Sequence, residues 1–222
     1  VSFKSNVDRY QGIDFAILIK ESINYLFENE DEIDLVHRLL NVLAIYSKPL
    51  DLNTMRNFIP EVNNEKIDLV CLTLLANGFL DIKADGMWFS HDKFSDLVFD
   101  NIEEYKRLEI HYSLATHLLE SNKDWTEDTG TVFDVAFHSC EAVSLMESPL
   151  ERSKYLSICF AAAVKCREIG AYEEALYFIE NAVNSIDYSK KHNFTIDEQF
   201  NYVVDLEYSF LLKENQKKEL AY

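Results

Sequence analysis

Glycine and proline are scarce in this chain, five and three among 222 residues. With so few of the two residues that break helices, long helices are expected over a many-turned β fold. Long apolar runs are missing too. Stretches such as Phe15–Ile19 and Phe160–Val164 fall well short of the ~20 residues that cross a bilayer, so a membrane span is not expected. No basic stretch followed by an apolar core marks a signal peptide, and the chain starts at Val1, as a piece cut from a longer soluble protein would. Positive charge is in deficit, 21 basic against 39 acidic residues, for a formal charge of −18. Such an excess repels phosphate backbones and anionic lipid, so no membrane partner is expected and nucleic acid is disfavoured.

Chemistry-bearing patterns are absent as well. The chain has no G-x-x-x-x-G-K-[ST] loop and no glycine-rich strand-to-helix turn to cradle phosphate. His37, His111, His117, His138 and His192 are scattered, and no Cys or His pair has the close spacing of a zinc site. His138 and Cys140, two apart on a predicted helix, point in different directions. No serine lies in a nucleophile-elbow context. Catalytic residues, a metal and a bound cofactor are therefore not expected. The four cysteines, Cys71, Cys140, Cys159 and Cys166, lie in apolar helical patterns and read as small buried hydrophobes in a reducing cytoplasm. The sequon Asn193-Phe194-Thr195 reads as a chance match in a chain without a secretory signal.

What is present is helical periodicity. Residues 13 to 28 carry Phe15, Ile19, Ile23, Leu26 and Phe27 at amphipathic spacing, and residues 1–30 read as a linking helix. A second helix is expected over Ile33–Tyr46, behind the acidic cluster of residues 28 to 32 and stopped by Pro49. Asp51 should cap a short helix to Ile59, and Asn63 or Asn64 another reaching Asn77, closed by Gly78. Phe79–Ile82 and Met87–Phe89 flank Asp85-Gly86, the pattern of a hairpin turn. A helix from Asp92 to Ile102 should follow. Helices, hairpin and helix in that order over residues 31–103 make a winged-helix domain.

Its presumed recognition helix starts Glu65-Lys66-Ile67-Asp68, and residues 51–101 hold four basic residues against nine acidic. A DNA reader needs the opposite balance, so a winged helix that packs on protein is expected. From residue 104 the pattern is helical throughout, with helices expected over 104–121, Thr131–Met146, Leu150–Ile169, Tyr172–Ile186 and Ile196–Lys213. The connections 122–130 and 187–195 are long enough to be mobile. Lys190 and Lys191, with Lys213, Lys217 and Lys218, read as solvated helix ends. The recurrent tyrosines read as packing residues, with an exposed strip suited to a peptide or protein ligand.

Between Tyr155 and Ile186, the run Ala161-Ala162-Ala163 faces Gly170-Ala171-Tyr172-Glu173-Glu174-Ala175. This stretch of about 34 residues resembles a tetratricopeptide repeat. The resemblance puts Ala163 at the small position of the first helix, where the usual residue is glycine. It puts Gly170 and Tyr172 at the turn, and Ala175, Ile179 and Ala182 at the packing positions of the second helix. One repeat cannot bury its face alone, so residues 104–222 are expected to form a tetratricopeptide-like array. The fold class read from the sequence is thus mainly α, a winged helix with a small β-hairpin followed by an antiparallel helical array.

Phe89-Ser90-His91-Asp92-Lys93-Phe94, with Leu43-Ala44-Ile45-Tyr46-Ser47-Lys48-Pro49-Leu50 upstream, resembles the winged-helix region of the STAND class of signal-transduction NTPases. Several branches of that class carry Met-His-Asp at this junction, and Ser90 stands here in place of the methionine. The resemblance implies that His91 senses the phosphates of ATP or ADP bound on a neighbouring NTPase domain while Asp92 caps the helix. Packing of His91 against the hairpin, with Asp92 a cap and nothing more, is the alternative. The resemblance further implies a regulatory role in a parent ATPase, with protein partners and possible oligomerisation of the parent. A free-standing helical adaptor and a DNA-binding transcription regulator are the rival readings.

Overall fold

Short polar side chains bonded to nearby backbone set where most helices begin. The computed structural model describes residues 15–27, 29–83, 86–122, 125–192, 194–195 and 197–219. Among them the chain is mainly α-helical, with one two-stranded antiparallel sheet. None of the described helices is long and apolar enough to cross a membrane. Two compact units divide between Ile110 and His111, inside helix α6 (Glu104–Ser121).

The first unit holds α1 (Phe15–Leu26), α2 (Glu30–Tyr46), α3 (Leu52–Asn57), α4 (Asn64–Ala76), β1 (Leu80–Lys83), β2 (Gly86–Phe89) and α5 (Asp92–Asp100). Of the linking helix expected over residues 1–30, residues 1–14 and Glu28 lie outside the described residues. Helix α2 begins earlier than Ile33, because Asn29 accepts the Glu32 N–H at 2.8 Å. Glu30, Asp31 and Glu32 therefore sit inside its first turn, where carboxylates favour the helix dipole. It ends at Ser47, in the left-handed region with φ 57°, two residues ahead of Pro49.

Asp51 caps α3 by accepting the N–H groups of Asn53 and Thr54 at 2.9 and 3.1 Å. Asn63 caps α4 through the Glu65 N–H at 2.9 Å. At the end of α4 the Gly78 N–H donates to Leu75 at 3.1 Å and the Phe79 N–H to Leu74 at 2.9 Å. That pairing, with φ 77° at Gly78, is a Schellman turn. Leu39, Leu43, Ile67, Leu74, Phe79 and Phe94 form much of the core, each at most 2 % exposed.

The hairpin forms, with Gly86 inside its second strand. Lys83 pairs with Gly86, so the linking residues are 84 and 85, which lie outside the described residues, and Gly86 belongs to the strand. The reason lies across the sheet: the Met87 N–H donates to Leu50 at 2.8 Å and the Leu50 N–H to Met87 at 3.0 Å. A Cβ at Gly86, where φ is +147°, would fall 2.4 Å from the Leu50 carbonyl carbon. Glycine is required there so that the backbone near Leu50 can approach.

The second unit continues with α7 (Thr129–Glu141), a 3-10 turn (Val143–Leu145), α8 (Pro149–Glu168), α9 (Tyr172–Lys191) and α10 (Glu198–Glu219). Each of α7 to α10 packs against the next. Expected boundaries change in three of these helices. The helix expected to Met146 stops at Glu141, and the following turn carries Met146 into the core at 6 % exposure, its carbonyl accepting the buried Arg152 Nε–H at 2.7 Å. Helix α9 runs past Ile186 to Lys191, which buries Ser189 and places the Tyr188 ring 3.9 Å from the Arg152 guanidinium. Helix α10 begins at Glu198, where Asp197 accepts the Gln199 N–H, and extends past Lys213 to Glu219; Ile196 lies outside the described residues, as does Asn193 of the sequon. Helix α8 starts on a stronger local signal than periodicity alone conveys: Ser148 and Glu151 form a reciprocal capping box, with Pro149 at the first helical position.

Candidate functional site

The junction between β2 and α5 is built from rings and backbone bonds. Phe94 lies between Phe79 and Phe89, with ring centroids 5.6 and 5.1 Å away in edge-to-face contact. The Ser90 N–H donates to the Phe79 carbonyl at 3.0 Å and its hydroxyl to the Gly78 carbonyl at 2.6 Å. These contacts fix the direction in which the chain enters α5. His91 follows in extended backbone and occupies the N-cap position. Its carbonyl accepts the N–H groups of Phe94 and Ser95, while its imidazole makes no capping bond and is half-buried.

Asp92 is not the cap. It is the first helical residue and is exposed, so its carboxylate favours the positive end of α5 without closing a capping bond. The pair thus stands together at one helix end, with a half-exposed imidazole able to donate to an external anion.

The six residues assigned to the repeat-like turn lie on α8, the turn and α9. Ala163, Ala175, Ile179 and Ala182 are each 0 % exposed. The Ala171 N–H donates to Cys166 at 2.9 Å and the Gly170 N–H to Arg167 at 3.0 Å, a second Schellman turn. Gly170 has φ +80°, and a Cβ there would meet nothing within 4 Å, so this glycine serves backbone conformation and not close approach. Tyr172 is half-buried against the same core.

Two groupings escape a reading of the sequence. His111 and His138 are buried with their Nδ1 atoms 2.8 Å apart, so one ring donates and the other accepts. Cys140 and Cys159 are buried with Sγ atoms 3.7 Å apart. Both pairs join residues on different helices, 27 and 19 positions apart, and only the helix pairing itself brings them together.

A cavity of about 150 Å³ opens in this unit, lined by Tyr112, Ala115, Leu119, Ser139, Tyr155 and Ile158 among others. At its edge the Tyr112 hydroxyl donates to Glu151 at 2.6 Å. The Ser148 and Tyr112 hydroxyls hold the Glu151 carboxyl below its ordinary value. No group of three or more His, Cys, Asp or Glu residues that could hold a metal is found among the described residues. Compared with known proteins, the chain matches no family model, no curated protein and no solved structure.

Proposed function

We propose that this chain is the regulatory and protein-interaction module of a STAND-type signalling ATPase. Residues 31–103 would be its winged helix and residues 104–222 a tetratricopeptide-like array. ATP or ADP would bind a separate domain of the parent protein, which the winged helix restrains. The array senses a ligand or partner protein, and a partner that prefers the released arrangement shifts the population toward it. The parent is then free to oligomerise.

The observation that carries this reading is the outer face of α4, the helix that a DNA-binding winged helix would lay in the major groove. Glu65, Leu69, Leu72 and Ala76 share that face and are all exposed, with Leu69 and Leu72 each 62 % exposed. The nearby cation Arg56 is bonded to Asp68 through Nε at 3.1 Å and Nη2 at 2.6 Å, which leaves its charge compensated. An apolar, acidic face repels DNA and suits a protein surface. The short Leu50–Met87 pairing beside the hairpin supports the winged-helix reading. The glycine turn and small-residue packing between α8 and α9 support the repeat-like one.

The test is made in the proposed parent ATPase. His91→Ala should lower the amount of nucleotide retained through purification at least threefold, and Leu69→Asp with Leu72→Asp should raise the oligomeric fraction in light scattering. A polypeptide that binds no nucleotide, or one whose nucleotide content and oligomeric state ignore all three substitutions, contradicts the proposal.

A further inference from the structure

Two thiols meet between α7 and α8. Cys140 lies in the last turn of α7 and Cys159 near the middle of α8. Their sulfurs are 3.7 Å apart, so a disulfide requires them to close by roughly 1.6 Å. Helix α7 ends two residues beyond Cys140, at the Ala142 cap, so the chain carrying this sulfur is near a helix end, where such a shift costs least.

The surroundings distinguish the two sulfurs. Cys140 reaches the surface with 7 % of its area, and Cys159 with none. The Tyr155 hydroxyl is placed to donate to the Cys140 sulfur at 3.6 Å, and the Cys159 S–H faces it as well. The hydrogen bond from Cys159 holds the Cys140 thiol below its ordinary value against the opposing effect of its own burial, with smaller help from Tyr155 and Tyr177, while burial raises Cys159 well above it. The remaining two cysteines lack this arrangement: burial pushes Cys71 up to about 12 and Cys166 up to about 11. Both stay protonated and slow to react.

We propose that Cys140 and Cys159 form a dithiol that hydrogen peroxide or another hydroperoxide converts to an intrachain disulfide joining α7 to α8. Cys140, as thiolate, attacks the peroxide oxygen; the S–O bond forms, the O–O bond breaks, and the departing oxygen takes up the proton that the thiol gave and leaves as water from hydrogen peroxide or as the alcohol from an organic hydroperoxide. Cys159 then attacks the sulfenic sulfur. The S–S bond forms, the S–O bond breaks, and the leaving hydroxide takes the Cys159 proton and departs as water. The dithiol loses two electrons to the peroxide, and an external thiol reverses the change.

The experiment needs no substitution at first. The folded chain is titrated with hydrogen peroxide and mapped by mass spectrometry without reduction. Free thiols should fall from four to two, the intact mass should drop by two hydrogens, and one linked peptide pair should carry Cys140 and Cys159. In Cys159→Ser the reaction should stop at a Cys140 sulfenic acid that dimedone traps, and in Cys140→Ser the other three thiols should survive the same dose. Oxidation of Cys71 or Cys166 as fast as Cys140, or over-oxidation of Cys140 in the wild type with no linked peptide, overturns the proposal.

Discussion

Replacing Gly86 by alanine is expected to destabilise the first unit by about 3 kcal/mol, among the larger losses that a single methyl group can cause. Two independent penalties meet at this position. The backbone has φ +147°, a conformation that side-chain-bearing residues avoid, and the added Cβ would lie 2.4 Å from Leu50 C, 2.5 Å from Leu50 O and 2.7 Å from Asp51 N. Those three atoms are backbone and cannot rotate aside as a side chain would. Relief requires breaking the paired bonds between Leu50 and Met87 and moving Asp51, the cap of α3. Urea unfolding followed through Trp88, in a Trp125→Phe background, reads this unit by itself. A midpoint that stays within experimental error of the parent would show that the approach of Leu50 to the hairpin is wrong.

Tyr155→Ala should cost the second unit about 4 kcal/mol, within the range for removing a large buried ring. Tyr155 is 1 % exposed and lies in the same core cluster as Val135, Cys159 and Ile179. Its hydroxyl lies 3.2 Å from Asn181 Oδ1 on α9 and 3.6 Å from the Cys140 sulfur on α7 and can donate to one of them at a time, so the side chain reaches both neighbouring helices. Tyr155→Phe keeps the ring and should cost only about 1 kcal/mol, the net worth of an ordinary hydrogen bond. Thermal unfolding of the two variants separates packing from hydrogen bonding. Equal losses for both would contradict the claim that ring packing dominates here.

How much of this architecture can be read from sequence depends on how far apart the deciding atoms are. Asp51 bonds to N–H groups two and three residues on and Asn63 to one two residues on, and Gly78 and Gly170 are demanded by the turn in which they stand. Such features are local, and their residues announce them. Asp92 illustrates the ambiguity left within a local rule, since a carboxylate favours both the cap and the first turn. The extended backbone of His91 assigns the cap to the histidine instead. Gly86 reads locally as a turn glycine, yet its necessity comes from Leu50, 36 positions away.

The same distinction explains the candidate sites. His91 and Asp92 adjoin each other in the chain, so their common location is visible without a structure. The helix expected to Met146 has no glycine or proline to stop it; the stop comes from burial of Met146 and the bond from Arg152 to its carbonyl. Cys140 approaches Cys159, and His111 approaches His138, only after α6, α7 and α8 have found their pairing. Periodicity places each of these residues on a buried face without saying which faces meet.

The most direct measurement is amide hydrogen exchange of α4, compared between this chain alone and the proposed parent ATPase. If the Leu69 and Leu72 face docks on protein, exchange of residues 65–76 should slow at least tenfold in the longer molecule, and added DNA should have no effect. Identical exchange in the two molecules, or protection that only DNA produces, would contradict the account.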